Sequence, residues 1–181
     1  MTRGTVFIVL FRGVGGKTQL PTAPLRAALS DAGFENVATY INSGNAVLRS
    51  TREREETCRT VKHVVAHAFS FDKAVYLATA AEWEDLIAQN PFPHALAEPK
   101  FLHAAWLDAT PKAEAVERVR SFASGGEGFE VRGRVAYLHT PDGFGRSKMA
   151  ERFDRAIGVE NTARNWNTVL KLSELARKAS G

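Results

Sequence analysis

Cysteine is nearly absent. The 181-residue chain has one, Cys58, so no disulfide can close within it. A secreted, disulfide-framed domain is thereby excluded, and a reducing cytoplasmic setting is expected. Long apolar runs are also missing. The strongest, TVFIVLF at Thr5–Phe11, has seven residues, against roughly 20 for a membrane-spanning helix. No leader-cleavage pattern follows it, and no membrane association is expected. Low-complexity segments, a nucleophile elbow and a paired-carboxylate signature are absent as well. Neither sign of charge dominates: charged residues are 24% and the net charge is +4. Such an excess permits nucleic-acid binding without requiring it. What is present is 44% hydrophobic residues, enough for one sizeable core or two small ones.

Both alternating sets of TVFIVLF are apolar, the pattern of a strand covered on two faces. Beyond a glycine-rich loop, Thr22 and Pro24 open a helix whose stripe is Leu25, Ala28, Leu29 and Ala32, ended by Gly33. Residues 37–41 and 46–49 read as strands around the turn NSGN at 42–45. Ser50 and Glu53 have capping-box spacing. The helix behind them runs to about residue 69, with Cys58, Val61, Val65 and Ala68 inward, and residues 73–78 form a strand. This order, β-α-β-β-α-β, is the ferredoxin-like unit.

Thr79 and Glu82 form another capping box, opening a connecting helix with Trp83, Leu86 and Ile87; the proline-rich PFPHALAEP follows at 91–99. The order then repeats. A strand at 101–107 precedes a helix begun by Thr110 and Pro111, with Val116, Val119 and Phe122 on one face. Strands at 129–131 and 135–139 flank RGR. Ser147 caps a helix to about 157, a strand spans 160–164, and Asn165 or Asn167 caps a C-terminal helix through Val169, Leu172 and Ala176. The expected fold is α+β: two tandem ferredoxin-like units at 1–78 and 100–181, the second ending in the C-terminal helix, with the connecting helix and linker at 79–99. The doubly apolar first strands imply sheet faces covered by each other or by a second copy in a homodimer.

In this topology the loop after the first strand shares a sheet edge with the hairpin between the second and third. Arg12 and Lys17 are therefore expected beside Asn42, Ser43 and Asn45. In the second unit the loop GFGRSK shares an edge with ARNW. That gathers Arg146, Ser147 and Lys148 with Arg164, Asn165 and Asn167, where free N–H groups and the positive ends of two helices would suit phosphate or carboxylate. Residues 131–181 hold ten Lys/Arg against five Asp/Glu.

GVGGKT is not a Walker loop. That pattern needs glycine five residues before the Gly-Lys pair, where Phe11 stands. GxGxxG also fails, at Thr18. His63 and His67 have metal-ligand spacing, but the apolar stripe turns them to solvent, so no metal and no cofactor are expected. The third strand lacks an aromatic, so the base-stacking platform of RNA recognition motifs is not expected. Asp142, Glu151 and His139 are the candidate general bases if the protein is an enzyme.

The stretches FRGVGGKTQLP, LRAALSDAGFENVATYINSGNAVLRS, GRSKMAERF and TARNWNTVLKL together resemble the bacterial family known as domain of unknown function 1697. The resemblance covers essentially the whole chain, and its most specific parts are the SGN turn and the RNWNT–KL ending. It implies tandem ferredoxin-like domains and no established activity. Arg164, Asn165, Trp166, Asn167 and Lys171 match the pattern as they stand. Relative to members of the family, two residues are missing between Gly13 and Val14, and Thr18 replaces Asn after Lys17. The functional expectation is a cytoplasmic module that binds nucleic acid or a phosphorylated small molecule at these basic edges. The alternatives are an enzyme on a phosphorylated or carboxylated substrate, or a structural, dimerising module.

Overall fold

The computed structural model describes residues 4–181. They form two compact units. One runs to Asp85 and is completed by Lys171–Gly181; the other is Leu86–Leu170.

In the first unit, β1 (Thr5–Phe11), β2 (Glu35–Thr39), β3 (Asn45–Ser50) and β4 (Val75–Thr79) make one antiparallel sheet in the order β2-β3-β1-β4. α1 (Thr22–Asp31) and α2 (Arg54–Phe69) cover one face. There Phe7, Val9 and Phe11 pack with Leu25, Leu29, Val61 and Val65. Alternation sends Ile8, Val47 and Ala78 to the other face, where all three are 0% exposed. That is why β1 is apolar in both alternating sets. α3 (Ala80–Ala88) follows β4 directly. The end of α6 (Trp166–Ser180) belongs to this unit. Arg49 Nη2 and Asn36 Nδ2 donate to the Ala179 carbonyl at 2.7 and 2.9 Å, and Ser173 and Arg177 both bond Glu84 of α3.

The second unit repeats the plan. β5 (Leu102–Leu107), β6 (Gly128–Arg132), β7 (Val135–His139) and β8 (Asn161–Asn165) lie in the order β6-β7-β5-β8, with α4 (Ala113–Arg120) and α5 (Lys148–Ile157) on one face. The helix-facing core joins Ala105, Leu107, Val119, Leu138, Met149, Phe153 and Ile157. On the other face Tyr137 lies beside Trp166, and its hydroxyl donates to the Leu86 carbonyl at 2.7 Å. Burial raises that phenol to about 12, despite the nearby charge of Arg132. Leu102 and Tyr137 on this face are also 0% exposed.

Several local expectations need correction. Ser50 does not cap α2. It ends β3, and its hydroxyl lies 2.9 Å from Thr57 Oγ1, while the helix starts behind Glu53 with no side-chain cap. Ala68 is exposed, because the buried stripe runs through Thr57, Val61 and Val65. α1 is entered from Pro21 without a side-chain cap, and α4 begins at Ala113. The Thr79–Glu82 box does form: Thr79 N donates to Glu82 Oε2 at 2.7 Å and Glu82 N to Thr79 Oγ1 at 3.1 Å. Among the described residues, no helix is long and apolar enough to cross a membrane.

Candidate functional site

The first-unit edge is built around Gly44. Phe11 N donates to the Gly44 carbonyl at 2.9 Å, and Arg12 N to the Ala74 carbonyl at 3.0 Å. The loop leaving β1 is thus tied to the NSGN turn on one side and to the start of β4 on the other. Gly44 has φ +82, and a Cβ there would meet Val14 Cγ2 at 2.7 Å and the Phe11 Cβ and carbonyl oxygen at 2.9 Å. Only glycine satisfies both the conformation and the approach. Buried Asn45 holds the turn from inside, donating to the Tyr40 carbonyl at 3.1 Å and to Ser43 Oγ at 3.0 Å.

The loop itself folds shut. Gly15 and Thr18 exchange two backbone hydrogen bonds, at 2.7 and 2.9 Å, and α1 starts only at Thr22. The helix start thus lies four residues beyond the closed loop, so the two do not form one continuous phosphate cradle. What remains at this edge is side-chain chemistry: exposed Lys17 and half-buried Arg12, with Asn42 and Ser43 exposed on the turn. A third cation was not foreseen. Exposed Lys73 lies against the loop, with its Cδ 3.1 Å from where a Cβ on Gly13 would stand. Asp72, also exposed, is its sequence neighbour. Ile41, next to the turn, is 48% exposed with φ +46, a conformation that β-branched side chains resist.

The second-unit edge uses its polar residues differently. Ser147 is buried, and its hydroxyl caps α5 by accepting from Ala150 N at 3.0 Å. Asn165 Oδ1 accepts from Asn167 N at 3.0 Å, and its Nδ2 donates to the Lys100 carbonyl at 2.8 Å. Arg164 is 9% exposed. It donates to Thr162 Oγ1 at 2.7 Å and to the Ala163 carbonyl at 2.8 Å, and burial lowers its guanidinium to about 10. Arg146, Lys148 and Asn167 are exposed. A residue missed in the sequence, His103, stacks on Phe144 of the GFGRSK loop with centroids 4.1 Å apart. Its buried Nδ1 has no hydrogen-bond partner, and burial lowers its pKa to about 4, so the ring is neutral at physiological pH.

His63 and His67 are exposed and stacked 6.3 Å apart on α2. Among the described residues, no three His, Cys, Asp or Glu side chains form a group that could hold a metal ion.

The geometry defines an α+β protein with two four-stranded antiparallel sheets and six helices, each unit carrying a polar loop edge. The chain belongs to the family described as "Protein of unknown function (DUF1697)", whose model matches residues 5–137. The match stops before the GRSK and ARNW segments. No curated protein matches the chain. Among solved structures, the conserved bacterial protein SP0830 from Streptococcus pneumoniae is similar, with a TM-score of 0.74 and 19% identity over 95% of this chain and 98% of that one. At that identity the likeness is one of fold.

Proposed function

We propose that the protein is a cytoplasmic binding module for an anionic ligand, nucleic acid or a phosphorylated metabolite, held at the loop edge of its first unit. We take the two halves, 1–78 and 100–181 with 79–99 between them, as tandem ferredoxin-like domains, with Lys171–Gly181 at the end of the second half packing into the first compact unit. The element order and the repeated strand order, β2-β3-β1-β4 and β6-β7-β5-β8, support that assignment. One observation carries the functional part: the Phe11–Gly44 clamp, which holds the loop bearing Arg12 and Lys17 against the exposed Asn42 and Ser43, with Lys73 alongside. Cations beside short polar side chains suit phosphate oxygens, because each charge-assisted hydrogen bond gains from both charge and direction. Arg146 and Lys148 form a second, weaker contact surface, since Ser147, Arg164 and Asn165 already spend hydrogen bonds inside their own unit.

The test is binding of a fluorescent single-stranded oligonucleotide, with a panel of phosphorylated metabolites followed by thermal shift. Lys17→Ala with Lys73→Ala is expected to weaken oligonucleotide binding by about tenfold and to flatten its salt dependence between about 50 and 200 mM. Unchanged affinity in that double variant removes the first-unit edge from consideration. A stabilising metabolite with no oligonucleotide binding selects the small-molecule form.

A further inference from the structure

Between α4 and α5 the second unit has a groove of about 360 Å³, lined by Arg118, Phe122, Arg152, Arg155 and Ala156. Phe122 is half-buried and Ala156 buried, forming an apolar floor; all three arginines are exposed. The Arg152 guanidinium carbon sits 4.8 Å from the Phe122 ring centroid, a cation–π contact over the floor.

Glu114 precedes Arg118 by four residues on α4, and Glu151 precedes Arg155 by four on α5. This is the favourable order and spacing for a helix ion pair. Among the described residues neither pair closes, and none of the three arginines has an acidic partner. Arg120, one residue from Val119, is held by Glu117 and Glu130. Helix dipoles account for a cation in the last turn of each helix, Arg118 and Arg155. They do not account for Arg152, nor for three like charges converging on one concavity, where they repel one another.

We propose that this groove binds a compact ligand carrying a diphosphate or triphosphate group. Three guanidinium forks offer bidentate donors to several phosphate oxygens at once, and their summed charge matches that of such a group. The volume is at the lower end of small-molecule sites. Single-stranded nucleic acid fits less well, because the one aromatic face is already covered by Arg152 and leaves no stacking surface for a base. This site is separate from the loop edge proposed above and does not depend on it.

The experiment is isothermal titration of the full chain at low salt with inorganic pyrophosphate and with tripolyphosphate. Binding is expected to weaken at least tenfold in Arg118→Gln with Arg155→Gln. It is expected to weaken several-fold in Arg152→Lys, which keeps the charge and loses the fork. Lys17→Ala with Lys73→Ala should leave it unchanged. Arg118 and Arg155 are both exposed, so their double variant decides the matter even if Arg152→Lys lowers the melting temperature. No binding by the wild type, full affinity in the Arg118/Arg155 variant, or equal displacement by citrate or by an oligonucleotide would each overturn the proposal.

Discussion

The two units meet the same problem, a polar sheet edge where loops converge, and solve it with opposite uses of similar residues. In the first unit the edge is closed mainly by backbone, Phe11 to Gly44, Arg12 to Ala74 and Gly15 to Thr18, with the Asn45 side chain bracing the turn from inside. The side chains of Lys17, Asn42 and Lys73 are left facing solvent. In the second unit the edge is closed by side chains, with Ser147 on α5, Asn165 on Lys100 and Asn167, and Arg164 on its own strand. A polar residue cannot both satisfy a buried backbone group and remain available to a ligand at no cost. Glycines that do the structural work therefore leave Lys17 and Lys73 exposed beside them.

Substitutions at equivalent edges should separate these two roles. Arg164→Ala is expected to have the largest effect, a loss of about 2–4 kcal/mol, because it removes a buried donor from Thr162 Oγ1 and the Ala163 carbonyl. Arg164→Met should recover part of that loss by refilling the volume without a buried charge. Chemical denaturation measures both. If Arg164→Ala folds as stably as wild type while anion binding falls, the second edge is the functional one and the contrast between the units reverses.

Gly44→Ala comes next. The added Cβ meets Val14 and the Phe11 backbone under 3 Å at a positive φ, and a loss of about 2–3 kcal/mol is expected. Gly128 offers the matched control. A Cβ there meets the Phe92 ring at 2.5 Å, but φ is ordinary and a ring edge can swing aside, so Gly128→Ala should cost about 1 kcal/mol. Equal losses at the two glycines would show that the first-unit clamp is no tighter than ordinary packing.

Stability should also fall on acidification through His103. Its pKa is 6.5 when exposed and about 4 when folded, lowered by burial. The native state thus binds fewer protons than the unfolded chain in that window. The contribution is complete above pH 6.5, declines as pH falls and is exhausted near 4, a loss of about 3 kcal/mol. His103→Phe, which can keep the stack on Phe144, should flatten the melting-temperature profile there. His139, lowered by burial and then by the charge of His94, adds slope in the same direction.

Much of this was legible in advance. β7 and the end of α5 stand where alternation and the Ser147 cap put them, because those signals are local. The Thr79–Glu82 box was readable for the same reason. Ser50–Glu53 has identical spacing and was misread, because Ser50 Oγ is claimed by Thr57, one turn into a helix whose packing no local pattern encodes. Arg164 was read as a surface cation from its place beside a helix start. In a strand covered on both faces, a polar residue is buried whichever way it points. Lys73 and the three groove arginines carry no local signal because they meet their neighbours only through the fold: Lys73 is 60 residues from Gly13, and Arg118 is 34 from Arg152.

The smallest effect tests whether the first-unit edge carries strain. Three non-glycine residues among those described have positive φ, namely Asn36, Ile41 and Ser70. Two have local reasons. Asn36 lies at the irregularity in β2 and donates to the Ala179 carbonyl. Ser70 ends α2, where Phe71 N reaches back to the Val65 carbonyl as helix-terminating turns require. Ile41 has neither, and its β-branched side chain is exposed, so burial does not offset the conformation. Ile41→Gly should therefore stabilise the protein by about 1 kcal/mol, with Ile41→Asn giving a smaller gain. If Ile41 also contacts the ligand, the same variants bind the oligonucleotide more weakly while melting higher. A gain in stability with unchanged binding would leave Lys17 and Lys73 as the edge's working residues. A loss of stability would mean that the turn needs isoleucine for packing.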